Sequence, residues 1–267
     1  MTNSILEIKD LTVRFSSPRG EVLAAERVNL CVARGSFTAL VGESGSGKTV
    51  TALSICRLVK PSIVSGEIFH ADSKNLLLLN ENELRKVRGR EISYIFQDPA
   101  SSLNPVMTVG EQVAEAFRAH FRSTPRQAQK KVLEFFDKVK LKDPSRVYDS
   151  FPHELSGGMK QRVMIAMALI SGPSVLVADE PTTALDPETE SGILELLEAL
   201  RRERGLAVLF ITHNLPLAAR FADAIYVMRR GRVVERLEKG MAPQEEYTQK
   251  LFSASLVGVP RKSFIKI

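Results

Sequence analysis

Cysteine is scarce. Only Cys31 and Cys56 occur in 267 residues, far apart and without metal-ligand spacing, which excludes a cysteine-ligated metal centre. Both fall in apolar-patterned stretches and are expected to be reduced core residues. Long apolar runs are missing as well. The most apolar region, 163–178, is broken by Ser171-Gly172-Pro173, so no segment is expected to span a bilayer. Charged side chains arrive at once, at Glu7, Lys9 and Asp10, so no signal peptide is expected. No internal repeat and no low-complexity segment occurs. The net charge is +6, yet no basic block carries it. Acidic residues lie between the basic ones, and pairs such as Arg201-Arg202 and Arg229-Arg230 read as solvated faces. A nucleic-acid partner is therefore not expected.

What is present is an ordinary globular composition, 44% apolar and 25% charged. The length suits one domain, or one domain with a helical insert. Ile5 to Phe15 alternates apolar and polar side chains, and Val28, Leu30 and Val32 repeat that period. With the turn residues Ser16 to Gly20 between them, this reads as an antiparallel β region. Phe37 to Val41 is a short buried strand, and Val50 to Val59 has helical spacing.

Between strand and helix stands Gly42-Glu43-Ser44-Gly45-Ser46-Gly47-Lys48-Thr49, an unbroken G-x-x-x-x-G-K-[ST] P-loop in its proper context. Its glycines let backbone N–H groups surround a phosphate chain, and the helix N-terminus adds positive potential. Lys48 is expected to reach the β- and γ-phosphates of ATP, and Thr49 to offer a hydroxyl to Mg²⁺.

Further along, Glu67 to Phe69 reads as an edge strand, and Ile92 to Phe96 as a strand delivering Gln97-Asp98-Pro99. From about 100 to 170 the pattern is helical. Thr108-x-x-Glu111 and Thr124-Pro125-x-Gln127 read as capping boxes, and Val132, Phe135, Phe136 and Val139 as one buried face. Strand and helix then alternate again. Val175 to Ala178 ends at Asp179-Glu180, Asp186-Pro187 caps a helix ending near Gly205, and Ala207 to Thr212 is the next strand. Arg229-Arg230-Gly231 turns a hairpin, a short helix covers about 244–253, and a tail follows from about 256.

An acidic pair closing a buried strand is placed where an α/β sheet presents ligand-binding groups. Beside a P-loop, Asp179 is expected to hold Mg²⁺ through water, and Glu180 to polarise the attacking water. Leu155-Ser156-Gly157-Gly158 starts another helix, with Ser156 as its cap and open N–H groups on the glycines. One nucleotide has no need of two cradles from one subunit. The second is expected to serve a nucleotide bound by another subunit.

Leu155-Ser156-Gly157-Gly158-Met159-Lys160-Gln161 resembles the ABC signature, with Met159-Lys160 ahead of the glutamine. With the P-loop and Asp179-Glu180, the chain resembles ABC ATPases over roughly residues 5–255. The resemblance implies an α/β fold: a P-loop NTPase (RecA-like) core with an antiparallel β subdomain and an α-helical insert, in one domain. It further implies that Gln97 is the Q-loop glutamine, sensing the γ-phosphate and joining the metal site. His213 resembles the switch histidine that contacts that phosphate. Ala184-Leu185-Asp186 resembles the D-loop at the dimer interface, with Asp186 near nucleotide. Phe15 stands where an aromatic stacks on adenine.

Phe96 to Pro99, Ser102 to Pro105, Val109 to Gln112 and Asp179 to Asp186 resemble the oligopeptide/dipeptide/nickel importer branch. That implies an ATPase on the cytoplasmic face of the membrane, held by two transmembrane permease subunits. It also implies a second ATPase subunit, identical or a paralogue, and indirectly a solute-binding protein. Peptides or nickel and metal chelates are the implied cargo. Peptide importers of the branch often continue into a cysteine-bearing extension; with no cysteine after Cys56, no iron–sulfur cluster is expected. The alternative is a non-transport ABC ATPase acting on ribosomes or DNA. Translation factors of that kind carry paired ATPase units and the DNA-linked types carry long coiled-coil inserts, neither of which this sequence contains.

Overall fold

The computed structural model describes residues 4–18, 20–71, 74–183 and 185–255, with 100 and 255 as backbone alone. The expected tail lies outside the described residues, as does Ala184.

The alternating N-terminal stretches form β1 (Ser4–Ser17) and β2 (Gly20–Ala33), an antiparallel pair longer than the sequence pattern predicts. β3 (Phe37–Val41) passes through the glycine turn into α1 (Lys48–Ile55). The helix stops four residues short of the expected Val59, because Arg57 turns left-handed at φ 51°. β4 (Ile63–His70) then returns to pair with β1, giving a three-stranded sheet in the order β2-β1-β4. The edge strand read at Glu67 to Phe69 is part of it.

α2 (Glu81–Val87) starts from a reciprocal capping box between Asn80 and Glu83, and β5 (Ile92–Ile95) follows. The helical stretch comprises α3 (Pro99–Ser102), α4 (Val109–Arg118), α5 (Pro125–Lys138), α6 (Pro144–Asp149) and α7 (Gly157–Leu169). The Thr124–Gln127 box before α5 forms in both directions. The Thr108 box forms in one only. Thr108 accepts from the Glu111 N–H, but the Glu111 carboxylate accepts from the Tyr148 hydroxyl at 2.7 Å and from Arg118 at 3.2 Å. A tertiary partner has taken the group that the local motif needed.

Beyond the helices come β6 (Val175–Asp179), α8 (Pro187–Arg204), β7 (Ala207–Thr212), α9 (Leu215–Phe221), β8 (Ala224–Arg229), β9 (Arg232–Glu238) and α10 (Glu246–Ser255). The second sheet runs β5-β6-β7-β3-β8-β9, parallel from β5 to β8, with β9 antiparallel at the edge. The strands β3, β6 and β7 are buried along their whole length, which explains their unbroken apolar runs: both faces are covered. Successive side chains enter opposite cores. Ala39, Val41, Leu176, Ala178, Val208 and Phe210 pack with the helical stretch and α8. Leu40, Val175, Val177, Leu209 and Ile211 pack with α1 and the antiparallel sheet. Cys56 lies in this second core, whereas Cys31 is only half-buried.

Candidate active site

Four strands of one parallel sheet end on the same edge, so whatever follows them is brought together. Val41 pairs with Thr212, Asp179 with Ile211, and Ile95 with Ala178. Hence the P-loop after β3, Gln97 after β5, Asp179-Glu180 at the end of β6 and His213 after β7 share that edge.

The P-loop is tight on one side and open on the other. A Cβ on Gly42 would stand 2.2 Å from the Met228 carbonyl oxygen, and one on Gly47 2.3 Å from that of Ala24. Both residues have positive φ, 154° and 102°, so glycine is required there twice over. At Gly45 a Cβ would meet nothing. Lys48 is buried and spends two of its three N–H donors on the Gly42 and Glu43 carbonyls, at 2.8 and 2.9 Å. Burial lowers its pKa below the usual lysine value, against the opposing pull of Glu180 and Asp179.

Asp179 is 2% exposed. Its Oδ1 accepts from Thr49 at 3.3 Å and its Oδ2 from the Tyr94 hydroxyl at 2.7 Å. Burial raises its pKa, while those two hydrogen bonds and Lys48 pull it down. Next to it, Glu180 has φ 45°, a left-handed backbone that costs a non-glycine residue about 1 kcal/mol. Its N–H donates to the Ile211 carbonyl at 2.9 Å, and its carboxylate becomes a hub. Oε2 accepts from Gln97 Nε2 at 3.1 Å and from Thr183 Oγ1 at 3.0 Å, and His213 Nδ1 stands 3.2 Å away.

These residues fit a nucleotide phosphate chain with Mg²⁺. The loop has an open face at Gly45, a buried Ser46 hydroxyl without a hydrogen-bond partner, and a spare donor on Lys48. Thr49 and a desolvated Asp179 supply hard oxygens, one hydroxyl and one carboxylate. A site that leaves most of the shell to phosphate and water suits Mg²⁺.

Three groups stand apart from that hub. Phe15 is half-buried, pairs with Val22 and packs on the core beneath α1. Ser156 caps α7 by accepting from the Met159 N–H at 3.3 Å. The glycines after it lie against α8 and the turn before it: a Cβ on Gly157 would meet Leu185 at 3.4 Å, and one on Gly158 Thr189 at 2.8 Å. Asp186 caps α8 through the Thr189 N–H at 2.9 Å, and hydrogen bonding from Thr189, its side chain first and its N–H second, holds the Asp186 carboxyl below the usual range. Among the described residues, no hydrogen bond or ion pair links Ser156 or Asp186 to the P-loop.

The sequence reading missed Tyr94 and Thr183, which both donate to the acidic pair. Tyr94 lies in no glycine-rich or acidic motif, and Thr183, though inside the Asp179–Asp186 stretch, carries no role in the sequence pattern. Tyr94 carries a signal only once β5 is known to lie beside β6.

The chain has recognisable relatives. A peptidoglycan transport ATP-binding protein, YejF, of Agrobacterium fabrum is 43% identical over 98% of this chain and 49% of its own length. A glutathione import ATP-binding protein, GsiA, of Pectobacterium atrosepticum is 44% identical over 94% of this chain and 42% of its own. The chain thus spans about half the length of these relatives or less. Among solved structures, the dimeric MJ0796 ABC transporter cassette has a TM-score of 0.79 and 32% identity, over 89% of this chain and 100% of that one. The same cassette has been solved as a post-hydrolysis dimer bound to ADP and Pi. A family model described as ABC transporter matches residues 25–183, a stretch that holds the P-loop, Gln97, the Ser156-Gly157-Gly158 turn and the Asp179-Glu180 pair. With a family model over more than half of the chain and relatives 43–44% identical, this chain belongs to the ABC transporter family.

Proposed function

We propose that this chain is an ATPase subunit that powers import through permease subunits and works as one half of a pair. The observation that carries the reading is the convergence of Gln97, Thr183 and His213 on Glu180, beside Lys48, Thr49 and Asp179. Mg²⁺, when bound, neutralises charge on the phosphate oxygens. Thr49 and Asp179 are the residues that would hold it, with Gln97 joining from β5. Lys48 meets the β- and γ-phosphates with its remaining donor, and the Gly42–Thr49 backbone N–H groups orient the chain of phosphates. Glu180 acts on water through Oε1, the oxygen its three neighbours leave free, while their hold on Oε2 fixes its direction. His213 steadies the γ-phosphate. Phosphoryl transfer is governed by positioning and charge stabilisation, and these residues supply both. Phe15 stacks on the adenine.

Ser156, Gly157, Gly158 and Asp186 serve the nucleotide of the second subunit, identical or a paralogue. Ser156 and Gly157 are exposed, and the MJ0796 cassette is a dimer. Two permease subunits hold the pair on the cytoplasmic face of the membrane, with a solute-binding protein beyond them. Among the described residues no helix is long and apolar enough to cross a membrane. Residues 98–109, next to the exposed Phe96 and including the exposed Val106, form part of the permease-docking groove. The relatives named for glutathione import and peptidoglycan transport favour peptide-like cargo over nickel or metal chelates.

The test is ATPase rate per molecule against protein concentration, for wild type and Ser156→Arg, with and without the cognate partner and permease. The rate is expected to fall on dilution and to rise with the partner. A rate constant on dilution that also survives Ser156→Arg would show one subunit sufficing and end the paired reading.

A further inference from the structure

β5 contributes a group to this site that the proposed mechanism does not use. Tyr94 pairs with Val177, two residues before Asp179, and its hydroxyl reaches Asp179 Oδ2 at 2.7 Å. That is the short distance expected of a hydroxyl donating to a carboxylate. A phenol carries its proton at neutral pH and an ionised carboxylate can only accept, so the bond runs from the Tyr94 hydroxyl to Asp179. The ring is held on both sides. Phe96 lies against it with centroids 4.7 Å apart at 42°, and its other neighbours belong to the core beneath α1.

The consequence concerns the opposite oxygen. A carboxylate free to turn about its Cβ–Cγ bond offers either oxygen to a cation. Here Oδ2 is held by the phenol at 2.7 Å, whereas Oδ1 carries only the longer 3.3 Å bond from Thr49, the residue also read as a metal ligand, so Oδ1 is the oxygen turned toward the metal. Mg²⁺ demands near-ideal octahedral directions, and partners behind a carboxylate set its orientation. We infer that Tyr94 is a positioning residue for the metal site: it pins Asp179 Oδ2 so that Oδ1 faces the cation that Thr49 also meets. The inference rests on the reading of Asp179 as the metal-holding carboxylate. Phe96 matters through the ring it supports, and it is itself exposed next to Gln97.

The probe is Mn²⁺ added to the full chain loaded with ADP, with free Mn²⁺ read by electron paramagnetic resonance. Tyr94→Phe is expected to weaken Mn²⁺ binding about 10-fold, and Asp179→Asn at least as much. ADP affinity measured in chelator is expected to stay within about twofold for Tyr94→Phe, because the phenol touches no group assigned to the nucleotide. If Tyr94→Phe binds Mn²⁺ as wild type does while Asp179→Asn loses it, Tyr94 only packs and the inference falls. If neither variant changes Mn²⁺ affinity, the metal reading of Asp179 falls with it. Should Tyr94→Phe not fold, fluorotyrosine in the wild-type chain gives an independent readout. The chain has four tyrosines, so replacing Tyr148, Tyr226 and Tyr247 one at a time assigns the Tyr94 fluorine resonance. That resonance is expected to shift when Mg²⁺ joins ADP; a resonance that ignores Mg²⁺ overturns the assignment.

Discussion

The turn before α1 and the turn before α7 both offer glycines and serine hydroxyls at a helix start, yet they are built differently. In the first, Gly42 and Gly47 take positive φ and press against the Met228 and Ala24 carbonyls. Lys48 is folded back over the loop, and Thr49 touches Asp179. The glycine loop, its lysine and the carboxylate beside it are all drawn from one chain. In the second, neither glycine has positive φ, Ser156 is engaged in capping its own helix, and among the described residues no lysine or acidic side chain hydrogen-bonds to Ser156. Ser156 and Gly157 are exposed, and among the described residues no hydrogen bond or ion pair ties this turn to the P-loop. The difference teaches that a helix N-terminus is only a dipole until other elements bring charge to it. The first turn sits at a sheet edge where four strands deliver such groups. The second lies at the end of a helical stretch, and under the proposed function its completion falls to another molecule.

Three sets of substitutions press on this contrast. The largest effect is expected at the hub of the complete site. Glu180→Gln keeps the shape and loses the base, so hydrolysis should drop about 1,000-fold while ATP stays bound. A closed dimer should then accumulate, visible by size-exclusion chromatography with ATP. Adding Ser156→Arg to that variant should abolish the trapped dimer; a dimer that persists would mean the second turn takes no part in pairing.

Lys48→Ala and Ser156→Arg should fail in opposite ways. The first removes charge-assisted hydrogen bonds worth about 3 kcal/mol, so ATP affinity should fall about 100-fold by equilibrium binding. The second should leave monomer affinity within about threefold while hydrolysis in the assembled transporter falls about 100-fold, the loss of donors to the γ-phosphate. Equal loss of nucleotide affinity in both would erase the distinction between the two turns.

The smallest effects are on stability. Gly42→Ala puts a Cβ 2.2 Å from a backbone oxygen at φ 154°, which should cost about 3 kcal/mol. Gly158→Ala meets only the Thr189 methyl at 2.8 Å, in a helix where alanine is favoured. Its net effect should lie within about 1 kcal/mol of zero. Urea denaturation of the two variants measures the gap directly, and similar losses would contradict the difference in construction.

Motifs whose logic is local could be read from the chain alone. The P-loop between strand and helix, the Ser156 and Asp186 caps, and the buried strand ending at Asp179-Glu180 each need a few consecutive residues, and all stand where the pattern placed them. The two-sided burial of β6 and β7 was likewise visible as unbroken apolar runs. What the tertiary structure alone decided is everything that depends on which strands are neighbours. The order β5-β6-β7-β3 puts Gln97, Glu180 and His213 within one hydrogen-bonding radius. It also sets Tyr94 beside Asp179, a contact spanning 85 residues. The half-formed box at Thr108 shows the same rule at small scale, since Tyr148 claims the Glu111 carboxylate from a different helix. Local hydrogen bonding and side-chain period are encoded by residues a few positions apart. Strand order and shared hydrogen-bond partners arise from burying two sheets and a helical layer against each other, and no short stretch of sequence contains that information.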